Sequence, residues 1–202
     1  MNADNYRIER VNKSTCAEFL LKHHYLSRQG YGFRSGRNYG LFEADKLIGV
    51  AIFHTVSAWQ TVKGCFGLEN KEQEGFWELG RLAMDSECNV RNLTSWFLTK
   101  AMKLFRQDVR PRAIITYADA DYHHGYIFQA YNYTYHGLTA AKSDYWLKQD
   151  DGSYKKRGRG RPECEGEWRP RSRKHRYLKV YDKKLHTQWP VYPYPKGNNT
   201  EY

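Results

Sequence analysis

Apolar and polar positions change period repeatedly between Trp77 and Asn132, and the changes mark out four elements. WELGRLAMD (77–85) alternates, which predicts a strand with Glu78, Gly80 and Leu82 on one face and Leu79, Arg81 and Ala83 on the other. SECNVRNL (86–93) is a polar loop. In NLTSWFLTKAMKLFRQ (92–107), Leu93, Trp96, Phe97, Ala101, Leu104 and Phe105 recur at helical spacing and predict a buried helix face. AIITYAD (113–119) is a continuous apolar strand that stops at a carboxylate, and HHGYIFQAYN (123–132) opens a second short helix. Strand ends and helix starts that converge on one crevice are where α/β proteins place ligands.

The flanks extend this core. YRIERV (6–11) reads as a first strand, and a helix capped by Asn12 or Ser14 follows, with Cys16, Phe19, Leu20 and Leu26 near helical spacing. After a glycine-rich basic loop (29–38), NYGLFEAD and KLIGVAIFHTV predict a hairpin turning at Asp45–Lys46. Residues 57–75, with Gly64 and Gly67, read as a long irregular connection. YTYHGLT (133–139) and KHRYLKVYDK (174–183) predict two further strands around a polar, glycine-rich basic segment. The expected fold is α/β of the α+β kind: a central mixed sheet flanked by helices. Residues 1–186 form one domain carrying a basic insertion at about 150–173, and 187–202 form a Pro- and aromatic-rich tail expected to be extended and mobile.

Composition narrows the function. Sixteen per cent aromatics and 40% hydrophobics suit a folded core. No apolar run is long enough to span a bilayer, and the MNADNYRIER start has no signal-like apolar stretch. Four scattered cysteines (Cys16, Cys65, Cys88, Cys164) without a C-x-x-C pair suit reduced thiols in a cytoplasm. The net charge of +11 is concentrated: residues 155–184 hold thirteen Lys/Arg against four acids. Such a cluster suits a polyanion, and KKRGRGRP (155–162) contains the Arg-Gly-Arg-Pro core of a minor-groove contact. Lys155, Lys156, Arg157, Arg159, Arg161, Arg171, Arg173 and Lys174 are the candidate nucleic-acid contacts, the alternative being a solvated basic loop. Adjacent histidines (23–24, 123–124) point to different helix faces and do not chelate, so no metal ligand set is assigned.

For chemistry, Asp119 at its strand end is either a working carboxylate or a turn aspartate. Glu78 is either a base or a buried partner of Arg81, and Arg81 is either a phosphate contact or a structural ion pair. The helix start at Asn92, Thr94 and Ser95 offers free amide donors to an anion.

The element order resembles the acyl-CoA-dependent N-acyltransferase (GNAT) fold. Within it, ELGRL (78–82), NLTSWFL (92–98), TYAD (116–119), HHGYIFQAYN (123–132) and HYL (24–26) together are similar to the Mom-type DNA-modification proteins of bacteriophages. The resemblance covers about residues 20–140 and implies double-stranded DNA as substrate, with an acyl group from acetyl-CoA or a related acyl-CoA reaching the exocyclic amine of adenine. Such a modification would shield phage DNA from restriction in the cytoplasm of an infected bacterium. It implies catalytic roles for Asp119, Glu78, His24, Tyr39 and Tyr131, and cofactor contacts from Arg81, Leu82, Met84, Arg91, Asn92, Thr94 and Ser95. The phosphate loop here has no glycine, and the position that often holds a tyrosine acid is Phe128, with Tyr126 and Tyr131 nearby. Tyr31, Phe33, Tyr39 and Trp59 are candidates to stack on a flipped base. Two rival readings are an acetyltransferase acting on a protein, a tRNA-linked amine or an aminated pyrimidine, and a non-catalytic DNA binder on the same scaffold.

Overall fold

The structure is a computed structural model that describes residues 3–25, 32–157 and 165–197. Leu26, Tyr31, Arg159 and Arg161, each given a role above, lie outside the described residues. In chain order the elements are β1 (Tyr6–Arg10), α1 (Lys13–His23), β2 (Arg37–Glu43), β3 (Lys46–Thr55), α2 (Trp59–Phe66) and β4 (Phe76–Met84). Then come α3 (Leu93–Val109), β5 (Ala113–Asp119), α4 (Tyr126–Ala130), β6 (Thr134–Leu138), β7 (Lys142–Lys148), β8 (Tyr154–Lys156), β9 (Gly166–Arg171) and β10 (Lys174–Val180). Seven strands form one mixed sheet in the order β1-β2-β3-β4-β5-β10-β6, in which β4 and β5 are the parallel pair. The remaining three form a separate sheet, β8-β7-β9.

Helices cover both faces of the large sheet. On one face α3 and α4 pack through Phe97, Ala101, Phe105 and Phe128 against Ala51, Phe53 and Leu79. The rings of Phe53 and Phe105 stack at 4.2 Å. On the other face α1 places Cys16, Phe19 and Leu20 on Val50, Ile52 and Ala83, and α2 places Val62, Cys65 and Phe66 on Phe76, Ile115 and Leu178. The Asn12 side chain caps α1 by accepting from the Thr15 amide at 2.8 Å, and the hairpin turns at Ala44–Asp45.

Four sequence expectations change. Residues 57–75 contain α2, because Val62, Cys65 and Phe66 form an apolar stripe and Gly67 is its left-handed C-cap (φ 73°) rather than a loop glycine. In the polar, glycine-rich basic segment and just before it, Lys142–Lys148, Tyr154–Lys156 and Gly166–Arg171 form strands that the sequence reading did not assign. The tail residues 187–197 are extended but held down along the edge strand β6. Tyr192 N–H donates to Tyr135 O (3.0 Å), Tyr194 Oη donates to Tyr133 O (2.7 Å), and Pro190 O lies 3.1 Å from His136 Nδ1. Covering an open edge in this way blocks pairing with other chains.

The fourth change matters most for the site. A β-bulge in the β3–β4 ladder pairs Ile52 with Arg81 but Phe53 with Leu79, so Gly80 is the extra residue. The alternation shifts by one there. Trp77, Leu79, Leu82 and Met84 all face α3, while Glu78 (opposite His54) and Arg81 (opposite Ile52) share the α1/α2 face. Glycine is required at the bulge because a Cβ on Gly80 would run into the His54 imidazole. Gly80→Ala is therefore expected to destabilise the protein by about 1–3 kcal/mol, through overpacking, and to displace His54 from Glu78. Urea denaturation with an unchanged m-value checks it.

Candidate active site

β4 and β5 pair over four residues only, Phe76–Leu79 against Ala113–Thr116. Thr116 Oγ1 donates to Leu79 O (2.9 Å) at the last paired position. Beyond it both strands continue unpaired to one another and open a cleft of about 1150 Å³. The cleft reaches both faces of the sheet. From the α1/α2 face it is lined by His24, Glu78, Arg81, Tyr117, Asp119 and Lys174, and from the α3/α4 face by Leu82, Met84, Thr94, Tyr126, Ile127 and Phe128.

Asp119 is buried at 4% exposure. Its two oxygens accept short hydrogen bonds from Lys174 Nζ and Ser172 Oγ, and the Asp121 amide donates at 3.3 Å. Burial raises its pKa, but the hydrogen bonds from Lys174 and Ser172 and the Lys174 charge outweigh that and hold it below the usual carboxylate range. His123 lies in the same cleft. Burial pushes its pKa down to about 4, against the pull of Asp119, so the ring is neutral at pH 7. Glu78 accepts from the Ser57 amide (3.0 Å) and lies 3.8 Å from His54 Nε2. At the rim, buried Asp85 is bonded by Lys46 (2.8 Å) and lies 3.6 Å from His23; the Lys46 hydrogen bond is the main reason its pKa falls.

Arg81 is the least compensated group. Its guanidinium donates to the carbonyls of Gly80 (2.7 Å) and Gly32 (3.3 Å), no carboxylate among the described residues pairs with it, and its Nε is buried without a partner. Burial lowers its pKa. A half-buried cation without a counter-charge is costly unless an anion arrives.

The N-terminus of α3 meets the cleft at Thr94. No side chain caps this helix, and Asn92 enters it in the left-handed conformation (φ 64°). Asparagine tolerates that region better than most residues, so it makes the turn that a glycine would otherwise make. Ser95 Oγ is used locally, donating to Asn92 O (2.9 Å). Arg91, Asn92 and Ser95 lie outside the cleft lining.

Not every sequence candidate is brought here. Tyr39 is 1% exposed in the core of β2, where its hydroxyl donates to Asp108 (2.7 Å). Tyr131 packs on Tyr133 beneath Lys179, so Tyr126 is the α4 tyrosine that lines the cleft. His24 lines it, stacked 4.8 Å from Tyr25. His124 Nδ1 lies 3.4 Å from His175 Nε2. Phe33 lines the cleft, whereas Trp59 sits 40% exposed on α2. Of the basic set, Arg171 and Lys174 line the mouth, and Arg173 Nε donates to Thr139 O (2.7 Å). Lys156 pairs with Asp144 (2.5 Å), and Lys155 and Arg157 lie on and just after β8. The sequence reading left Ser172 and His123 without a role. Neither stands out by type, and the contact of Ser172 with Asp119 spans 53 residues.

The profile of the Mom protein family matches residues 5–196. The chain belongs to that family. No curated protein matches it in sequence. Among solved structures, a GNAT family acetyltransferase from Elizabethkingia anophelis with acetyl-CoA bound is 12% identical at a TM-score of 0.51, covering 88% of this chain and 99% of that one. A Bacillus subtilis acetyltransferase in complex with CoA (12%, 0.51) and an IAA acetyltransferase from Bacillus cereus (12%, 0.51) each cover 87% of this chain and 99% of their own. Identity this low speaks for the fold alone, which is that of the GNAT acetyltransferases. The family match extends to residue 196, so it includes the docked tail. Among the described residues no helix is long and apolar enough to cross a membrane.

Proposed function

We propose that the protein is an N-acyltransferase that carries an acyl-derived group from an acyl-CoA to the exocyclic amine of adenine in DNA, and that phage DNA so marked escapes restriction. The observation that carries this reading is the two-sided cleft at the β4–β5 divergence. It lets a thioester enter from the α3/α4 face and an amine from the α1/α2 face, and the two meet where the strands part. Family membership favours DNA adenine as the acceptor.

The residues on the α3/α4 side fit an acyl-CoA. The uncapped start of α3 offers amides to a pyrophosphate, and Leu82, Met84 and Phe128 supply apolar wall for a pantetheine arm. Bound there, the thioester supplies an electrophilic carbonyl carbon. The amine nitrogen forms the new C–N bond as the C–S bond breaks, the amine loses one proton, and the thiolate gains one. Asp119 accepts the amine proton from the acceptor side, and Glu78 on the same face is the second carboxylate in reach of the cleft. Tyr126, which lines the same side of the cleft, is the phenol we assign to donate to the departing sulfur. Arg81 shares the face of Glu78 rather than that of α3, so its guanidinium, which pairs with no carboxylate among the described residues, is assigned to an anionic group of the DNA strand.

Lys174 links the two partners. A phosphate arriving at the basic mouth competes with Asp119 for the ammonium, and losing that hydrogen bond returns the carboxylate toward its ordinary basicity. Release of CoA thiol that requires both acyl-CoA and adenine-containing DNA tests the activity in vitro. In the same assay Lys174→Met is expected to shift the acidic limb of the kcat/KM profile for DNA, which reports the free enzyme, upward, because the folded pKa of Asp119 is depressed by Lys174 and rises when that donor is removed. An unmoved limb would show that Asp119 is not the titrating base.

A further inference from the structure

The small sheet divides its residues by face in a way that bears on DNA. On one face Lys156 pairs with Asp144 (2.5 Å), and Arg169 pairs with Glu167 (2.5 Å). There Arg169 also lies 5.0 Å from the Trp146 ring centroid and 4.4 Å from that of Tyr154. Each acid on that face is matched by a cation, and the planar groups stack on one another. The opposite face carries Tyr145 and Trp168, directly paired across β7 and β9 with their rings 5.2 Å apart. Lys155 pairs opposite Leu147 on it, and Arg157 follows, its amide donating to Tyr145 O (2.9 Å). None of the residues on this second face in the described strands is acidic. Trp168 is 63% exposed, the most exposed large hydrophobic side chain in the described chain.

This sheet is rooted at the active site. The register pair Lys142–Arg171 lines the mouth of the cleft, and the next residues, Ser172 and Lys174, hold Asp119. A strand whose adenine enters the cleft therefore passes beside the small sheet.

We infer that the Tyr145–Trp168 face is the platform for an unpaired DNA strand: Trp168 stacks on an unstacked base next to the target while Lys155 and Arg157 hold the adjoining phosphates. An exposed indole on a face that also carries two cations across β7 and, in the described strands, no acid is the chemistry that unpaired nucleotides require, since every base offers a π face and every linkage a negative charge. Extrusion of an adenine leaves unstacked neighbours for such a platform. The inference rests on the reading of DNA as substrate.

The test uses the full chain and two probes: a short single-stranded DNA, and an abasic strand of equal length that keeps the phosphates and lacks the bases. Trp168→Ala is expected to weaken binding of the normal strand about tenfold, to leave abasic-strand binding unchanged, and to be restored by Trp168→Phe. The double change Lys155→Ala with Arg157→Ala is expected to weaken both probes and to flatten the salt dependence of log K by about 1.4, two phosphates at the single-strand value. Equal loss of both probes in Trp168→Ala, or no loss of either, would overturn the platform. Adenine modification that persists with Trp168→Ala affinity unchanged removes the platform and leaves the proposed activity standing. Platform behaviour in a protein that never modifies adenine does the reverse. A wild-type chain that binds neither probe removes the platform.

Discussion

Asp119→Asn is expected to lower adenine modification by about 10²–10⁴-fold, the usual worth of a positioned acid–base group, in a protein that still folds and still binds DNA. Asparagine keeps the shape: its Oδ1 can accept from Lys174 while its Nδ2 donates to the Ser172 hydroxyl, so the change removes the charge and the proton acceptor but little else. Lys174 keeps partial access to water (25% exposed), and the stability loss is expected to be about 1–3 kcal/mol, that of a charged hydrogen bond lost in a partly buried site. The pH dependence identifies its source. Because the folded pKa of Asp119 is depressed, its contribution to wild-type stability is present above the unfolded value near ~3.9 and disappears as pH falls through the folded value. The stability gap between wild type and Asp119→Asn should therefore narrow toward low pH. A gap that stays constant to low pH would mean that the ionised Asp119 carboxylate does not bind Lys174 as described.

Arg81→Met separates two roles that its neighbours in sequence do not. A contact to the acyl-CoA pyrophosphate would make the variant lose cofactor affinity. The Gly80 bulge instead turns Arg81 to the face of Glu78 and Asp119, so the expected result is a kcat/KM for DNA lowered about 10–100-fold with acyl-CoA affinity unchanged. Methionine also removes a half-buried guanidinium that has no carboxylate among the described residues. The free protein should gain stability, by about 1 kcal/mol or more. Loss of acyl-CoA affinity on titration calorimetry would return Arg81 to the cofactor. Loss of thermal stability would show that it holds the α1 side of the cleft together.

The central unit from β4 to α4 was legible because its period changes are strong. An uninterrupted apolar run gives β5, a wide apolar stripe gives α3, and a carboxylate at a strand end is visible in sequence as such. The same reading placed Glu78 and Arg81 on opposite faces, since strict alternation cannot register one inserted residue. Gly80 was the only local sign of it, and its reason is the His54 ring on the adjacent strand. Tyr39 carried a family role by position, yet its hydroxyl is committed to Asp108 across 69 residues. The second sheet was hidden because β7 and β9 are amphipathic on both faces, their aromatics interleaved with charges, and a polar segment of that kind reads as loop. Docking of the tail depends on carbonyls of β6 and on Cys65 O, which accepts from Gln188 (2.7 Å), contacts without any sequence pattern.

What sequence and structure share is a crevice at the ends of β4 and β5 with the Asp119 carboxylate in it. The most direct measurement of what passes through it is mass spectrometry of nucleosides from the DNA of cells expressing the protein, with Asp119→Asn cells alongside. The account predicts an adenine nucleoside of increased mass in the wild-type sample only, the added mass naming the transferred group. Unmodified adenine in both samples, or a mass increase confined to a pyrimidine or to protein amines, would contradict it.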